Sequence, residues 1–218
     1  MPVVENVVNN NIPKVLIGVL APDYMPLGFI TSLFGLYRGN GTDFVTKMMF
    51  TQSTILSHGR DTLANLAIDG NFTHLLFIDS DMTFPTNALT KLLARDKDIV
   101  TGLCFARKLE HTPCIYKAVN YKDPDPNVPR TVMETDINRD FFEIKACGMA
   151  FCLIKVPVLK DIKERCGGTM YGYLGTYGED ISFCIRAQEL GYKLYCDTTF
   201  PIGHIGTKEY GVDDWKRS

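Results

Sequence analysis

The stretch HLLFIDSD, residues 74–81, decides the fold class, because an apolar run of strand length ends there in two acidic side chains. Similar apolar runs occupy residues 14–20 and 98–105, and segments with a helical pattern lie between them. Short apolar runs that alternate with helical segments are typical of βαβ units. We therefore predict an α/β fold with a central, mainly parallel but mixed sheet flanked by helices.

The same patterns set the expected element boundaries, including a helix capped at its start by Ser57. A stiff proline-rich loop lies at 123–129, and a long apolar stretch at 142–154 is interrupted by Gly148. The predicted strands are residues 14–20, 43–52, 74–78, 98–105, 114–120, 130–134 and 192–196. The first predicted helix follows the loop at 21–28 and runs to about Tyr37. The other predicted helices cover residues 57–69, 86–94, 156–165 and 179–190.

Composition limits the function classes. The chain has 218 residues, 45% hydrophobic and 22% charged, with a formal net charge of −2. This length predicts a single domain, with a nucleotide-binding half at about 12–105 and an acceptor and catalytic half at about 106–218. The charge lacks the basic stripe of a nucleic-acid binder. No apolar run is long enough to span a bilayer, so no membrane segment is expected.

Cysteine usage indicates a reducing compartment. There are seven cysteines, an odd number, and no Cys-x-x-Cys pair occurs among them. That pattern argues against a disulfide framework and against a zinc ribbon. Because several of these cysteines sit in apolar runs, we predict buried free thiols.

Asp79 and Asp81 end the third predicted strand. Ligands of parallel α/β sheets gather at the carboxyl ends of the strands, and side chains two apart on a strand point the same way. Two neighbouring carboxylates repel unless a positive charge lies beside them. We therefore predict that the pair holds Mn²⁺ or Mg²⁺ against a nucleotide diphosphate. The alternative is an ordinary polar turn at the end of a strand.

A second enzyme class shares this pattern. The run Asp79-Ser80-Asp81-Met82-Thr83 resembles the nucleophile motif of haloacid-dehalogenase-type phosphatases, in which Asp79 would be phosphorylated. That family usually carries the motif on its first strand, whereas two βα units precede it here.

Two later motifs add candidate groups. Glu179-Asp180 opens a helix after a glycine-rich loop, where Asp180 could accept a proton or simply cap the helix. Gly203-His204-Ile205-Gly206 places a histidine between glycines, and neutral imidazole is an acceptable ligand for Mn²⁺. Lys208 follows and could neutralise a phosphate.

Together these motifs resemble the GT-A glycosyltransferases over nearly the whole chain. The chain also resembles small virus-encoded glycosyltransferase domains of the chlorella-virus kind. The resemblance implies a single Rossmann-like GT-A domain. Its activity would be metal-dependent transfer of a sugar, with inversion, from a nucleotide-sugar, UDP-sugar preferred over GDP-sugar, to a glycan or glycoprotein hydroxyl. No membrane stem is present, which predicts a cytoplasmic enzyme, in the host if viral, or one domain of a longer polypeptide.

The resemblance also assigns roles. The catalytic base maps to Asp180 with Glu179 as its neighbour, and the metal ligands map to Asp79, Asp81 and His204, Asp79 alternatively serving the ribose. Arg60 would pair with phosphate or brace the acidic motif, the alternative being a partner for Asp61 or a solvated helix face. The residues expected around the nucleotide and donor sugar are Pro22, Asp23, Tyr24, Arg60, Asp79, Ser80, Gly148 and Lys208.

The aromatic, glycine-rich loop at residues 171–178 is predicted to close over the donor and to offer aromatic faces to a sugar. Gly148 would allow a close approach to that sugar, or would instead form a strand bulge. Besides a glycosyltransferase, a phosphatase and a non-catalytic carbohydrate-binding protein remain as alternatives.

Overall fold

Three parallel strands open the fold in the computed structural model, which describes residues 12–39, 43–107, 112–123, 125, 127–206, 209–210 and 212. They are β1 (Lys14–Leu20), β2 (Val45–Thr51) and β3 (His74–Asp79). β1 lies in the middle and pairs with both neighbours, so that Leu20 aligns with Thr51 and with Asp79. The carboxyl ends of all three strands therefore meet at one edge of the sheet.

Ten shorter strands and five helices complete the part of the chain that the structure describes. The strands are β4 (Met82–Thr83), β5 (Ile99–Gly102), β6 (Ile115–Val119), β7 (Thr131–Met133), β8 (Phe141–Ile144), β9 (Ala146–Cys147), β10 (Phe151–Lys155), β11 (Leu194–Asp197), β12 (Gly203–Ile205) and β13 (Glu209–Tyr210). The helices are α1 (Leu27–Gly39), α2 (Leu56–Asp69), α3 (Ala88–Ala94), α4 (Val156–Cys166) and α5 (Glu179–Glu189).

The central sheet has the strand order β2-β1-β3-β10-β5-β11-β8. Within this part of the described chain, β8 and β10 run opposite to the other five strands, which share one direction. β12 joins β4 to β13 in one small sheet, and β6 joins β7 to β9 in another. The predicted α/β class with a mainly parallel, mixed sheet is confirmed.

Helices cover both faces of the central sheet. On one face, α1 and α3 bury an apolar layer that includes Phe29, Leu33 and Leu89. On the other face, α2, α4 and α5 bury a second layer that includes Leu63 and Leu159. Apolar side chains from both faces of the strands complete these layers, so the buried strands read as continuous hydrophobic runs.

Some boundaries differ from the sequence prediction. Ser57 does not cap α2: the helix begins at Leu56, and its N-cap residue Ile55 makes no side-chain capping bond. The hydroxyl of Ser53 takes the backbone N–H of Ile55 instead, at 3.2 Å. The strand expected at 98–105 ends at Gly102, because Cys104 turns to accept a hydrogen bond from Cys114.

Each of the seven cysteines lies within the described residues, and none of them forms a disulfide, as predicted. Five are buried, while Cys114 and Cys166 are partly exposed. Burial raises the pKa of the Cys104 and Cys184 thiols, which therefore stay protonated and behave as small apolar side chains. Over the described residues, none of the helices combines the length and the apolar character that crossing a membrane requires.

His74, at the start of β3, makes stability depend on pH. Burial and the nearby charge of Lys155 lower its pKa from 6.5 to about 4, with Asp96 opposing them. Below pH 6.5 His74 therefore binds a proton in the unfolded chain, whereas in the folded chain it does so only near pH 4. This contribution to stability is complete above the unfolded pKa and is lost as the pH falls towards 4. Its upper limit is about 3 kcal/mol.

We expect the substitution His74→Gln to flatten the loss of stability between about pH 7 and about pH 4.5. Urea unfolding across that range measures the effect as the difference between variant and wild type. His58→Gln, which replaces an exposed histidine of α2, is the matched control and should follow the wild type. An identical decline for His74→Gln and wild type would contradict the prediction.

Candidate functional site

A cleft of about 360 Å³ opens at the carboxyl edge of β1, β2 and β3. The loop after β1, the end of β2, the first turns of α2 and the turn after β3 form its walls, as expected for a ligand site in a parallel sheet. The residues lining this cleft that were predicted from the sequence are Pro22, Arg60, Asp79, Ser80, Asp81 and His204.

Arg60 holds the centre of the site together. Its Nη2 donates to Asp79 Oδ1 at 3.2 Å, its Nε to Glu179 Oε1 at 3.3 Å, and its Nη1 to the Met149 carbonyl at 3.4 Å. Its guanidinium also lies over the ring of Phe77, 5.1 Å from the centroid. One side chain thus ties α2 to the end of β3, to the start of α5 and to the turn before β10.

Arg60 keeps its positive charge although only 4% of its side chain is exposed. Burial alone would lower its pKa, but the carboxylates of Asp79 and Glu179 outweigh burial and raise it. Asp61 is not its partner, because consecutive residues of a helix do not face each other. Instead Asp61 Oδ1 accepts the backbone N–H groups of Met170 and Tyr171. Of the alternatives for Arg60, the structure shows the brace on the acidic motif.

A second charged cluster surrounds Asp81. His204 Nε2 lies 3.3 Å from Asp81 Oδ2, and Arg107 Nη1 lies 3.2 Å from the same oxygen. His204 is oriented from behind, because its Nδ1 lies 2.7 Å from the Phe105 carbonyl oxygen. The short strands β4 and β12 produce this approach by pairing Met82 with His204.

These contacts shift the pKa values in opposite directions. Burial alone would raise the pKa of Asp81, but the hydrogen bond and charge of His204, with Arg107, lower it overall. Burial alone would lower the pKa of His204, but its bonds to Asp81 and to the Phe105 carbonyl raise it above 6.5. The charged forms of Asp81 and His204 therefore favour each other.

The donor set for a metal is small. Asp81 Oδ2 and His204 Nε2 are close enough to serve one ion, whereas Asp79 Oδ1 is held by Arg60. The described residues contain no group of three or more His, Cys, Asp or Glu side chains that could hold a metal ion. A carboxylate and an imidazole suit Mn²⁺ or Mg²⁺ where phosphate oxygens and water complete the coordination. Arg107 would have to leave Asp81 for such an ion to bind.

Asp180 lies in the first turn of α5, directly after Glu179, which contacts Arg60. Its Oδ1 accepts the N–H of Ile181 at 2.7 Å, and its Oδ2 lies 3.7 Å from the position that a Cβ of Gly148 would occupy. Burial and the charge of Glu179 raise the pKa of Asp180. Asp180 does not line the cleft; it faces the turn at Gly148, which joins β9 to β10 and so is not a bulge within a strand.

Not every predicted residue joins the cleft. Tyr24 is 90% exposed, and the Asp23 carboxylate accepts a hydrogen bond from Gln52 at 3.1 Å. Of the three nucleotide contacts expected in the loop after β1, only Pro22 therefore lines the cleft. Lys208 lies outside the described residues. Arg107 was missed, since nothing in its local sequence marks it as a partner of Asp81.

The loop at residues 171–178 is anchored. Tyr171 is fully buried and stacks on Phe183 at 4.6 Å, while Tyr177 is almost buried. Arg186 Nη1 donates to the Gly172 carbonyl at 2.6 Å, and Leu174 N donates to the hydroxyl of Ser182. The expectation that its three tyrosines face a sugar is therefore wrong for Tyr171 and Tyr177, which pack into the core. Tyr173 is 57% exposed.

Comparison with known proteins supports the fold. No protein-family model matches the chain, and no curated protein matches it in sequence. The crystal structure of A197 from STIV is similar at a TM-score of 0.60 and 17% identity, covering 88% of this chain and 86% of that one. UDP-glucose pyrophosphorylase complexed with UDP-glucose gives a TM-score of 0.49 at 12% identity, covering 94% and 96%. At these identities the similarity to A197 concerns the fold alone.

Proposed function

We propose that the chain is a metal-dependent glycosyltransferase that moves a sugar from a nucleotide-sugar to a hydroxyl acceptor with inversion. A UDP-sugar is the first choice of donor, and a glycan is the first choice of acceptor. The observation that carries the proposal is the mixed charge of the cleft at the ends of β1 to β3. There Asp79 and Asp81 each contact an arginine, and His204 contacts the same oxygen of Asp81 as Arg107 does.

Both charge signs have a use with a nucleoside diphosphate. Guanidinium groups bind phosphate oxygens through paired N–H donors, which suits Arg107 once it leaves Asp81. Asp81 and His204 would hold the divalent ion, with diphosphate oxygens completing its coordination. When bound, the ion would neutralise the charge on the departing diphosphate. Arg60 holds Asp79 in place through a 3.2 Å ion pair without itself facing solvent.

Asp180 is proposed as the general base. Its raised pKa makes it a stronger proton acceptor than an ordinary exposed aspartate. It would take the proton of the acceptor hydroxyl as that oxygen attacks the anomeric carbon from the side opposite the diphosphate. Glu179 is occupied by Arg60, so its proposed part is to position the site. Attack from the opposite side predicts an inverted anomeric configuration.

The proposal predicts that nucleotide and metal stabilise the folded state together more than separately. Because the protein supplies few ligands, Mn²⁺ alone should shift the thermal midpoint little, and UDP alone moderately. UDP with Mn²⁺ should raise it by about 5–10 °C when UDP is near ~100 times its Kd. Differential scanning fluorimetry with UDP, GDP and their sugars, each with and without Mn²⁺, measures this.

Asp81→Asn separates the metal from the nucleotide. This variant should lose the increment that Mn²⁺ adds to UDP, while UDP alone still stabilises it, since Arg107 is released. Asp69→Asn, at an exposed position near the end of α2, is the matched control and should behave as the wild type. Additive shifts for UDP and Mn²⁺ in the wild type would contradict the metal assignment.

Activity distinguishes the alternatives. A glycosyltransferase should release UDP slowly from its UDP-sugar in the presence of Mn²⁺. A phosphatase with Asp79 as nucleophile should instead hydrolyse p-nitrophenyl phosphate, although Arg60 already holds one oxygen of that carboxylate. A carbohydrate-binding protein should do neither. Phosphatase activity that is lost in Asp79→Asn would replace the proposal.

A further inference from the structure

A second cavity, of about 380 Å³, lies at the same edge of the sheet as the cleft. It is formed where the parallel strands β5 and β11 end and where the antiparallel strand β8 begins. These three points lie at the edge of the sheet where β1, β2 and β3 also end. Its volume is within the range of about 300–1,000 Å³ that is usual for small-molecule sites.

The polar turn at Thr198 and Thr199 is held firmly in place on one side of this cavity. Asp197, fully buried, accepts both the N–H and the hydroxyl of Thr199, at 2.9 and 2.6 Å. Its other carboxylate oxygen accepts from Arg95 at 2.7 Å, and Lys91 donates to the Thr199 carbonyl at 2.8 Å. The wall is thus formed before any ligand arrives, which lowers the entropy cost of binding.

The cavity combines an apolar interior with a polar rim. Phe105 and Phe200 are almost fully buried and form part of its walls. Asn138 and Asp140 lie at exposed positions on its rim, and neither side chain takes a hydrogen bond from the part of the chain that the structure describes. An apolar surface beside an amide and a carboxylate matches a pyranose, whose C–H faces are apolar and whose edge carries hydroxyls.

The wall between the cavity and the cleft is thin. Phe105 lines the cavity and His204 lines the cleft, and the Phe105 carbonyl lies 2.7 Å from His204 Nδ1. The same wall continues towards the proposed base: Cys114 N donates to Cys104 O, and Gly148 N to Cys114 O. Gly148 in turn adjoins Asp180.

We propose that this cavity is an acceptor subsite, which holds a neutral saccharide unit of the acceptor away from its reacting hydroxyl. This inference rests on the proposed glycosyltransferase activity, because Asp180 does not line the cavity and the reacting hydroxyl would reach it beyond the Phe105–His204 wall. The Asp140 carboxylate lies on the rim and repels an anionic acceptor, which favours a neutral one. Asn138 and Asp140 bind the sugar hydroxyls, and the apolar interior receives one face of the ring.

Ligand-observed NMR tests the inference without UDP or Mn²⁺. Saturation-transfer spectra of the wild-type chain are recorded with methyl glycosides of glucose, galactose, mannose and N-acetylglucosamine, and with their β-linked disaccharides. At least one should bind. Asp140→Asn should weaken that binding by about 10- to 100-fold, because hydrogen bonds to a charged group are lost.

The matched control is Asp136→Asn, at an exposed carboxylate of the same segment that does not line the cavity. It should bind the saccharide like the wild type. Binding by none of these sugars would overturn the saccharide assignment, and equal binding by wild type and Asp140→Asn would overturn the location. If saccharides bind here but UDP never stabilises the chain, the acceptor site stands as a carbohydrate site and the transferase proposal fails separately.

Discussion

Asp180→Asn is expected to slow sugar transfer by about 10²- to 10⁴-fold, the range that general base catalysis contributes. Asn retains an oxygen that can accept the Ile181 N–H, so the start of α5 should be unchanged. Asn is also neutral, and burial already disfavours the charged form of Asp180. The variant should therefore be at least as stable as the wild type. The expected result is a loss of sugar transfer without a loss of stability. Transfer is measured with the donor that UDP release identifies.

The pH profile provides the sharper test. As the pH falls through the raised pKa of Asp180, the wild-type rate should fall at a higher pH than an ordinary aspartate would give. The residual rate of Asp180→Asn should lack that step. UDP-dependent stabilisation should be the same in both proteins, since Asp180 does not line the cleft. Near-normal transfer by the variant would remove Asp180 from the mechanism.

Arg60→Met is expected to destabilise the fold by about 3–5 kcal/mol, because it leaves partly buried carboxylates without their partner. Methionine fills the space of the aliphatic stem but replaces none of the bonds to Asp79, Glu179 and the Met149 carbonyl. Equilibrium unfolding in urea at neutral pH measures the loss.

Arg107→Met is the matched control for this variant. Both arginines contact one aspartate of the acidic pair, but the Arg107 side chain is 51% exposed, against 4% for Arg60. Exposed ion pairs contribute about 0–1 kcal/mol, so Arg107→Met should unfold almost like the wild type and bind UDP more weakly. Equal stabilities for the two variants would show that Arg60 is not the brace that its contacts describe.

Sequence patterns were sufficient for the long elements. β1 was predicted with the bounds it has, Lys14–Leu20, because a β-branched apolar run between polar and proline residues leaves little choice. Strands of two or three residues, such as β4 and β12, carry no periodicity and form only through pairing with each other. The position of β10 between β3 and β5 also depends on contacts far apart in sequence, which local patterns do not encode.

The site divides in the same way. Asp81 and His204 were expected to meet on the basis of motifs, and the structure brings them within 3.3 Å. Arg107 has no such motif, and its place beside Asp81 follows from how the segment after β5 turns. Tyr171 and Tyr177 were misjudged because an aromatic, glycine-rich loop has the same composition whether it packs inward or faces a ligand. The predicted roles of Asp79, Asp81 and His204 as metal ligands and of Asp180 as the base stay predictions, as do the predicted contacts to the donor.

The place of β10 also has a consequence for biosynthesis. When a ribosome has released only the first 105 residues, β3 and β5 exist as sequence, but the strand that joins them has not been made. Both would present open edges that are prone to pair with other chains. At that stage Arg60 could contact Asp79, but its second partner, Glu179, has not been made. The nascent chain therefore needs protection of those edges until residues 151–155 emerge, and the charged centre forms later still, once Glu179 has been made.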